Sequence, residues 1–317
     1  VREQMLINRA ERIHSYRKIY ELLWENPRIY SKSIATALHI DPRTAGSRLR
    51  EAFEHGYITI PQIRKRSYSN INEYLYFLNC TNPLEAYIRF SEDRTIPFHA
   101  AMCGFSNMWV TSKKKLNIDE EIVLSGYQSD YHVAFASLYT WERAIHEMMK
   151  KVAQFNPDLY EPLECIKTRK SQKIEWDSED EVLYRYFKYN LRNPFSPVMK
   201  KHLISTTKIY EFLKRLPETC TIMTRWLPKS IYQYDPYLFM FHTDYEDFLI
   251  DVFSQLPTSP VFLKADDTLL IYVHVKRTDM ADIDKLYIPI LIKELFNKHI
   301  IHYVSYAIVE YYWKKEL

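Results

Sequence analysis

The sequence predicts an α+β chain in which a helical module followed by a βαββαβ module occurs twice. Three observations carry that reading. A helix-period stretch gives way near Glu73 to short strands alternating with helices, and the same succession returns in the second half. The length of 317 residues is roughly twice that of an ordinary domain of ~150 residues. Apolar residues at 47% and charged residues at 26% fit a folded globular chain.

Glycine narrows the function classes. The chain has 4, at Gly46, Gly56, Gly104 and Gly126, and neither a G-x-G-x-x-G nor a G-x-x-x-x-G-K-[ST] occurs. Phosphate-cradling loops need such glycines for close backbone approach, so Rossmann and P-loop nucleotide enzymes are not expected. Cys80, Cys103, Cys165 and Cys220 form no C-x-x-C pair, so reduced thiols are expected rather than a zinc or disulfide framework, with no metal site and no cofactor. The uncharged stretch 95–112 holds Pro97, His99, Gly104, Ser106 and Asn107, which speaks against a membrane span. No N-terminal signal pattern is visible, and a cytoplasmic protein is expected.

The first helix is read from the stripe Ile13, Tyr16, Ile19, Tyr20 and Leu23, and it ends at Asn26-Pro27 because a residue before proline avoids helical dihedrals. Ser31 to Leu38 is a second short helix with Ile34, Ala35 and Leu38 inward, and His39-Ile40 is its turn. Asp41-Pro42 starts a third, because aspartate can cap free amides and proline at the first position loses no hydrogen bond. That helix runs from Pro42 to His55, buries Ala45, Leu49, Ala52 and Phe53, and stops at Gly56. Tyr57–Ile60 reads as a strand and Arg64-Lys65-Arg66 as a basic turn. Three helices, a strand and a basic hairpin are the order of a winged helix-turn-helix.

Within residues 1–70 there are 13 Lys or Arg against 7 Asp or Glu, so the basic character lies in this first module. Arg43, Thr44, Ser47, Arg48 and Arg50 are candidates for the major groove, since Arg to guanine is the commonest base-specific contact. Lys32, Arg64, Lys65 and Arg66 are candidates for phosphate, the last three as a wing.

From Glu73 the elements read as a strand at Tyr74–Leu78, a helix from Asn82-Pro83 to Phe90 and strands at His99–Cys103 and Met108–Thr111. A hairpin-like pair follows at Ile122–Ser125 and Tyr131–Ala136, then a helix from Trp141 to Phe155 and a strand at Leu163–Thr168. Apart from the extra hairpin this is a ferredoxin-like βαββαβ unit. In the second half Leu183–Pro194 corresponds to the helix ending at Asn26-Pro27, and Tyr237-Leu238 to Tyr74-Leu75. Helices at Tyr245–Leu256 and Asp284–Asn297 and strands at Val261–Lys264, Leu269–Val275 and Ile301–Trp313 complete the second unit. Ser205 caps the third helix of the second winged helix, which has no Arg-Lys-Arg wing. The expected domains are therefore 1–70 and 173–234 as winged helices, and 71–172 and 235–317 as ferredoxin-like domains.

The stretch Ser31 to Arg50, with Glu54-His-Gly-Tyr-Ile58 after it, resembles the DNA-binding domain of the leucine-responsive regulator/AsnC (Lrp/AsnC) family. The βαββαβ unit resembles the family's ligand-sensing and dimerising domain, and Ser125–Tyr131 resembles its Gly and Asp-Tyr turn in a longer form. The resemblance implies a sequence-specific transcriptional regulator, not an enzyme, that binds duplex DNA. It also implies an amino acid or other metabolite as effector at Gly126, Ser129 and Asp130, and either a homodimer or an intramolecular pseudo-dimer. The same halves also resemble siroheme decarboxylases. In that alternative the helix-turn-helix is vestigial and strand histidines such as His99, His132 or His274 line a tetrapyrrole pocket. A third reading, an interaction scaffold, applies if the winged helices only mediate pairing.

Overall fold

The computed structural model describes residues 2–277 and 287–314, and these divide into two compact units. Each is discontinuous in sequence. The first unit joins the chain up to Arg64 with Trp176–Gln233, and the second joins Lys65–Glu175 with the chain from Tyr234 onward.

In the first unit α1 (Arg2–Glu25), α2 (Ser31–Leu38) and α3 (Pro42–Glu54) are followed, after the long excursion, by α6 (Ser178–Phe187), α7 (Phe195–His202) and α8 (Thr206–Thr219). Tyr16, Ile19, Tyr20 and Leu23 of α1 are buried with Ile34, Ala45, Leu49 and Ala52. Asp41 caps α3, its carboxylate accepting the Thr44 amide at 2.9 Å, and Gly56 turns the chain with φ +67°. A Cβ on Gly46 would make only ordinary contact with α2, 3.6 Å from Ser31 Oγ, so the approach of α3 to α2 does not require a glycine there.

The two helical triplets are joined reciprocally. Arg192 donates to the carbonyls of Pro27 at 2.9 Å and Ile29 at 2.8 Å, while Arg28 donates to those of Leu191 and Asn193. Short β1 (Gln62–Lys65) pairs with β7 (Cys220–Met223) as a two-stranded sheet. The basic stretch read as a wing is thus largely a strand whose partner lies in the second half of the chain. Tyr57–Ile60, expected as a strand, makes a single bridge, from Ile58 to Trp226.

The second unit is a mixed α+β structure built on a nine-stranded sheet in the order β5-β2-β4-β3-β11-β8-β10-β9-β6. Its first-half strands are β2 (Tyr74–Asn79), β3 (Phe98–Gly104), β4 (Met108–Ser112), β5 (Glu121–Tyr127) and β6 (His132–Val133). The second half supplies β8 (Tyr234–His242), β9 (Val261–Ala265), β10 (Thr268–Lys276) and β11 (Tyr303–Lys314). The two halves meet where β11 pairs antiparallel with β3, with Ala307 opposite Gly104 and Ile308 opposite Cys103.

At the far end the chain leaving β5 crosses to β9: Gln128 bridges Ala265, and His132 pairs with Phe262. The sheet thereby rolls onto itself. Alternation sorts the side chains accordingly. Leu75, Phe77, Ala100, Met102, Leu238, Met240, Leu270, Ala307 and Val309 share the inner core. Tyr76, Leu78 and Val110 pack outward with Ala86 and Phe90 of α4 (Pro83–Glu92). Phe239, Phe241 and Ile271 pack with α5 (Trp141–Gln154), α9 (Glu246–Phe253) and α10 (Tyr287–Asn297).

Residues 163–168, expected as a strand, form none, because Asp247 rather than a neighbouring strand takes the amides of Leu163, Glu164 and Cys165. The expected start of the last helix at Asp284 lies outside the described residues. Among those residues no helix is long and apolar enough to cross a membrane.

Candidate functional site

The residues expected to meet DNA differ in exposure. Lys32, Arg43, Ser47 and Arg50 are exposed, and Thr44 and Arg48 are half-buried. Thr44 is tied to the Asp41 cap through both amide and hydroxyl. Ser47 donates to Glu51 at 3.0 Å, and Tyr16 donates to the same carboxylate at 2.9 Å. The wing residues are spent inside the fold. Arg64 donates to the carbonyls of Ile63 at 2.9 Å and Lys188 at 3.3 Å, and its guanidinium lies 5.3 Å from the Tyr189 ring centre. Lys65 is 8% exposed, and Arg66 is ion-paired with Asp130 at 2.9 Å.

The residues assigned to an effector are equally occupied. A Cβ on Gly126 would fall 2.7 Å from the Asp266 amide nitrogen, so this glycine serves the close approach of β5 to the end of β9. Ser129 is fully buried, accepting the Lys264 amide at 2.7 Å and donating to the Asp130 carbonyl at 2.8 Å. Asp130 accepts the Ser67 amide at 2.7 Å and hydroxyl at 2.9 Å through one oxygen, and Arg66 and Arg169 through the other. Burial opposes its charge, but the Ser67 amide and the two guanidinium groups outweigh burial and hold the carboxyl below its ordinary range. This turn is a closure seam in which Ser129 and Asp130 are engaged by neighbouring groups of the fold.

The histidines of the tetrapyrrole alternative are scattered. His99 lies under α4, its ring centre 4.4 Å from that of Tyr87. His274 is buried between Tyr234 and Tyr272, and His132 lies against Phe262. Among the described residues no group of three or more His, Cys, Asp and Glu could hold a metal ion.

What the second unit does offer is a cleft of about 610 Å³ that the sequence did not disclose. One wall is the irregular segment 160–172, contributing Tyr160, Glu164, Lys167, Thr168, Arg169 and Gln172. The other is the start of α9 with Asp244, Glu246 and Asp247, together with Lys264 of β9. A second cleft of about 520 Å³, floored by Phe155, Leu159 and Phe248, shares Tyr160 and Asp247 with it.

Asp247 organises the wall. Its carboxylate accepts the amides of Leu163 at 2.7 Å, Glu164 at 3.0 Å and Cys165 at 3.0 Å. Burial works against the charge, yet these amides hold the carboxyl below the ordinary range. Burial pushes the Cys165 thiol up to about 11, with the nearby Asp247 adding to the shift, which favours the thiol over the thiolate. Tyr160 accepts the Asp247 amide at 3.3 Å, and its phenol is raised above the ordinary value by burial, which keeps it protonated. Arg169 is held by Asp130 and Gln172, and Lys264 by Glu246. The cleft therefore places Lys167, Arg169, Lys264 and a neutral phenolic proton beside the carboxylates of Glu164, Asp244, Glu246 and Asp247, of which Glu246 is paired with Lys264 and Asp247 takes backbone amides. The run Lys167-Thr-Arg-Lys170 was the available sequence signal, hidden because the stretch reads as a strand.

No protein-family model and no curated relative matches the chain. Two solved structures do, both of the siroheme decarboxylase NirDL. One covers 96% of this chain and 93% of its own at 14% identity, with a TM-score of 0.48. The other, in complex with an iron-uroporphyrin III analogue, covers 95% and 93% at 12% identity, with a TM-score of 0.47. These neighbours are structures of an enzyme. The expectation of a DNA-binding Lrp/AsnC regulator that is not an enzyme and partners duplex DNA is corrected accordingly. Arg64 and Arg66, expected to lie on phosphate, are engaged within the fold, and Lys65 is buried.

Proposed function

We propose that the chain is an enzyme acting on a polycarboxylate tetrapyrrole of the siroheme kind, removing carboxyl groups as CO₂, with the cleft of the second unit as its binding site. The observation that carries this reading is the cleft itself. Lys167, Arg169 and Lys264 stand around a space large enough for a substantial small molecule, beside the protonated Tyr160 phenol. In this reading the chain is two tandem copies of a winged helix and a ferredoxin-like domain. The boundaries fall near 70, 172 and 234, and the helix-turn-helix parts serve as scaffold.

The chemistry asks for three things. Cations must seat the carboxylates that are not lost, and Lys167, Arg169 and Lys264 serve for this. The reacting carboxylate must leave water, since the C–C bond to CO₂ breaks with its electron pair left on carbon. That carbon must then take a proton, for which Tyr160 is the donor in place. Iron, where the tetrapyrrole carries it, belongs to the substrate.

An absorption titration of the full chain with iron-uroporphyrin, followed by mass spectrometry after incubation with siroheme, tests this. Binding weakened in Lys167→Ala and Lys264→Ala, and product lighter by CO₂ and lost in Tyr160→Phe, are expected. Tetrapyrrole binding that both lysine variants leave unchanged would remove the cleft from consideration, and an unaltered siroheme mass would remove the reaction.

A further inference from the structure

The cluster around Asp130 lies behind the cleft rather than in it. Asp130 is 3% exposed and does not line the cavity, whereas Arg169, which it holds through Nε at 3.0 Å, does. Arg169 is confined from several sides. Nη1 donates to Gln172 at 3.2 Å, the guanidinium lies 5.0 Å from the Tyr68 ring centre, and its backbone amide donates to Ser67 Oγ at 3.0 Å.

The Asp130 amide in turn donates to the Lys167 carbonyl at 2.8 Å. Asp130 thus ties down the cleft-wall backbone through its amide, while its buried carboxylate sets the direction of the arginine. Two guanidinium groups meet this carboxylate, so the group of Arg66, Asp130 and Arg169 keeps a net positive charge. Arg169 presents part of that charge, because one guanidinium nitrogen is held by neither Asp130 nor Gln172 and a planar fork held on one side can grip a carboxylate with the other.

We infer that Asp130 is a positioning residue that sets the affinity of the cleft for carboxylates by holding Arg169 in place, an inference that rests on the cleft being the substrate site. Its signature runs against simple electrostatics. Replacing a carboxylate near an anion-binding site by a neutral isostere should tighten anion binding if only charge mattered. If Asp130 acts through Arg169, the same replacement loosens it.

The test is absorption titration of the full chain with iron-uroporphyrin in wild type, Asp130→Asn, Ser67→Ala, Arg169→Gln and the Asp130→Asn/Arg169→Gln double variant. The expected result is affinity about tenfold weaker in Asp130→Asn, weaker also in Arg169→Gln, and no further loss in the double variant. Ser67→Ala removes one donor to Asp130 without changing charge and shows a smaller loss in the same direction. Should Asp130→Asn fail to fold, Ser67→Ala decides: unchanged affinity there overturns the inference. Equal or tighter binding by Asp130→Asn overturns it while leaving the cleft in place if Arg169→Gln still weakens binding. Unchanged binding in Arg169→Gln together with the Lys264→Ala variant instead overturns the cleft as the site.

Discussion

His99 shows how far burial can move a single side chain. It is 0% exposed on β3, with the Tyr87 and Phe90 rings edge-on to it, and burial pushes its pKa from 6.5 down to about 4, opposed by a backbone hydrogen bond at Tyr87. At pH 7 the ring is neutral in both folded and unfolded chains. As pH falls below 6.5 the unfolded chain takes up a proton that the folded chain refuses until about 4. Stability therefore declines across that window, by up to about 3 kcal/mol at its lower end. Urea unfolding of wild type and His99→Phe at pH 7 and pH 4.5 checks this. The variant should lose less stability on acidification, and an equal loss would show that other groups dominate. The sequence offered His99, His132 and His274 as pocket residues because a histidine on a strand looks alike whether it faces a ligand or a core. Only the long-range packing of α4 decides.

At the scale of elements, legibility follows range. The start of α3 at Asp41-Pro42 and the cap of α8 at Ser205 are local chemistry, written within four residues, and the structure shows both caps. The β1–β7 ladder is not local: two four-residue strands from opposite halves carry no periodicity that would join them. Segment 163–168 differs from the expected strand for a related reason, since Leu163 and Ile166 look like strand residues while Asp247, far along the chain, takes the amides that a ladder would use.

The β3–β11 seam gives a sharp test. Gly104 has φ +153° and a Cβ there would fall 2.3 Å from the Tyr306 carbonyl oxygen and 2.5 Å from Ala307 Cα. Gly104→Ala should cost about 1–3 kcal/mol, because backbone, not a flexible side chain, must move. Thermal unfolding monitored by near-ultraviolet circular dichroism reads that loss, and a change within ±0.5 kcal/mol would mean that the seam adjusts freely. Arg192→Ala should destabilise the first unit by about 2–4 kcal/mol, since it strips charged donors from the Pro27 and Ile29 carbonyls. Adding Arg28→Ala should cost less than a second full increment because both side chains close one junction. Urea unfolding of the two single variants and the double variant reports the coupling.

Over the whole molecule, each compact unit draws on both halves of the sequence, so neither half owns a complete structure. Residues 1–175 contain β3 without β11 and β1 without β7; residues 176–317 contain the complements. A copy on its own would expose the edge of β3, where Cys103 and Met102 now pair with Ile308 and Val309. Exposed edges of this kind recruit a second chain. The first half expressed alone should therefore appear as a dimer or larger species by light scattering rather than as a monomer. Co-expression of 1–175 with 176–317 should restore one complex of intact mass with the near-ultraviolet dichroism of the parent. A monomeric, cooperatively folding first half would show that the β3–β11 and β1–β7 pairings are dispensable. The two halves would then be independent domains in series, not one structure shared between them.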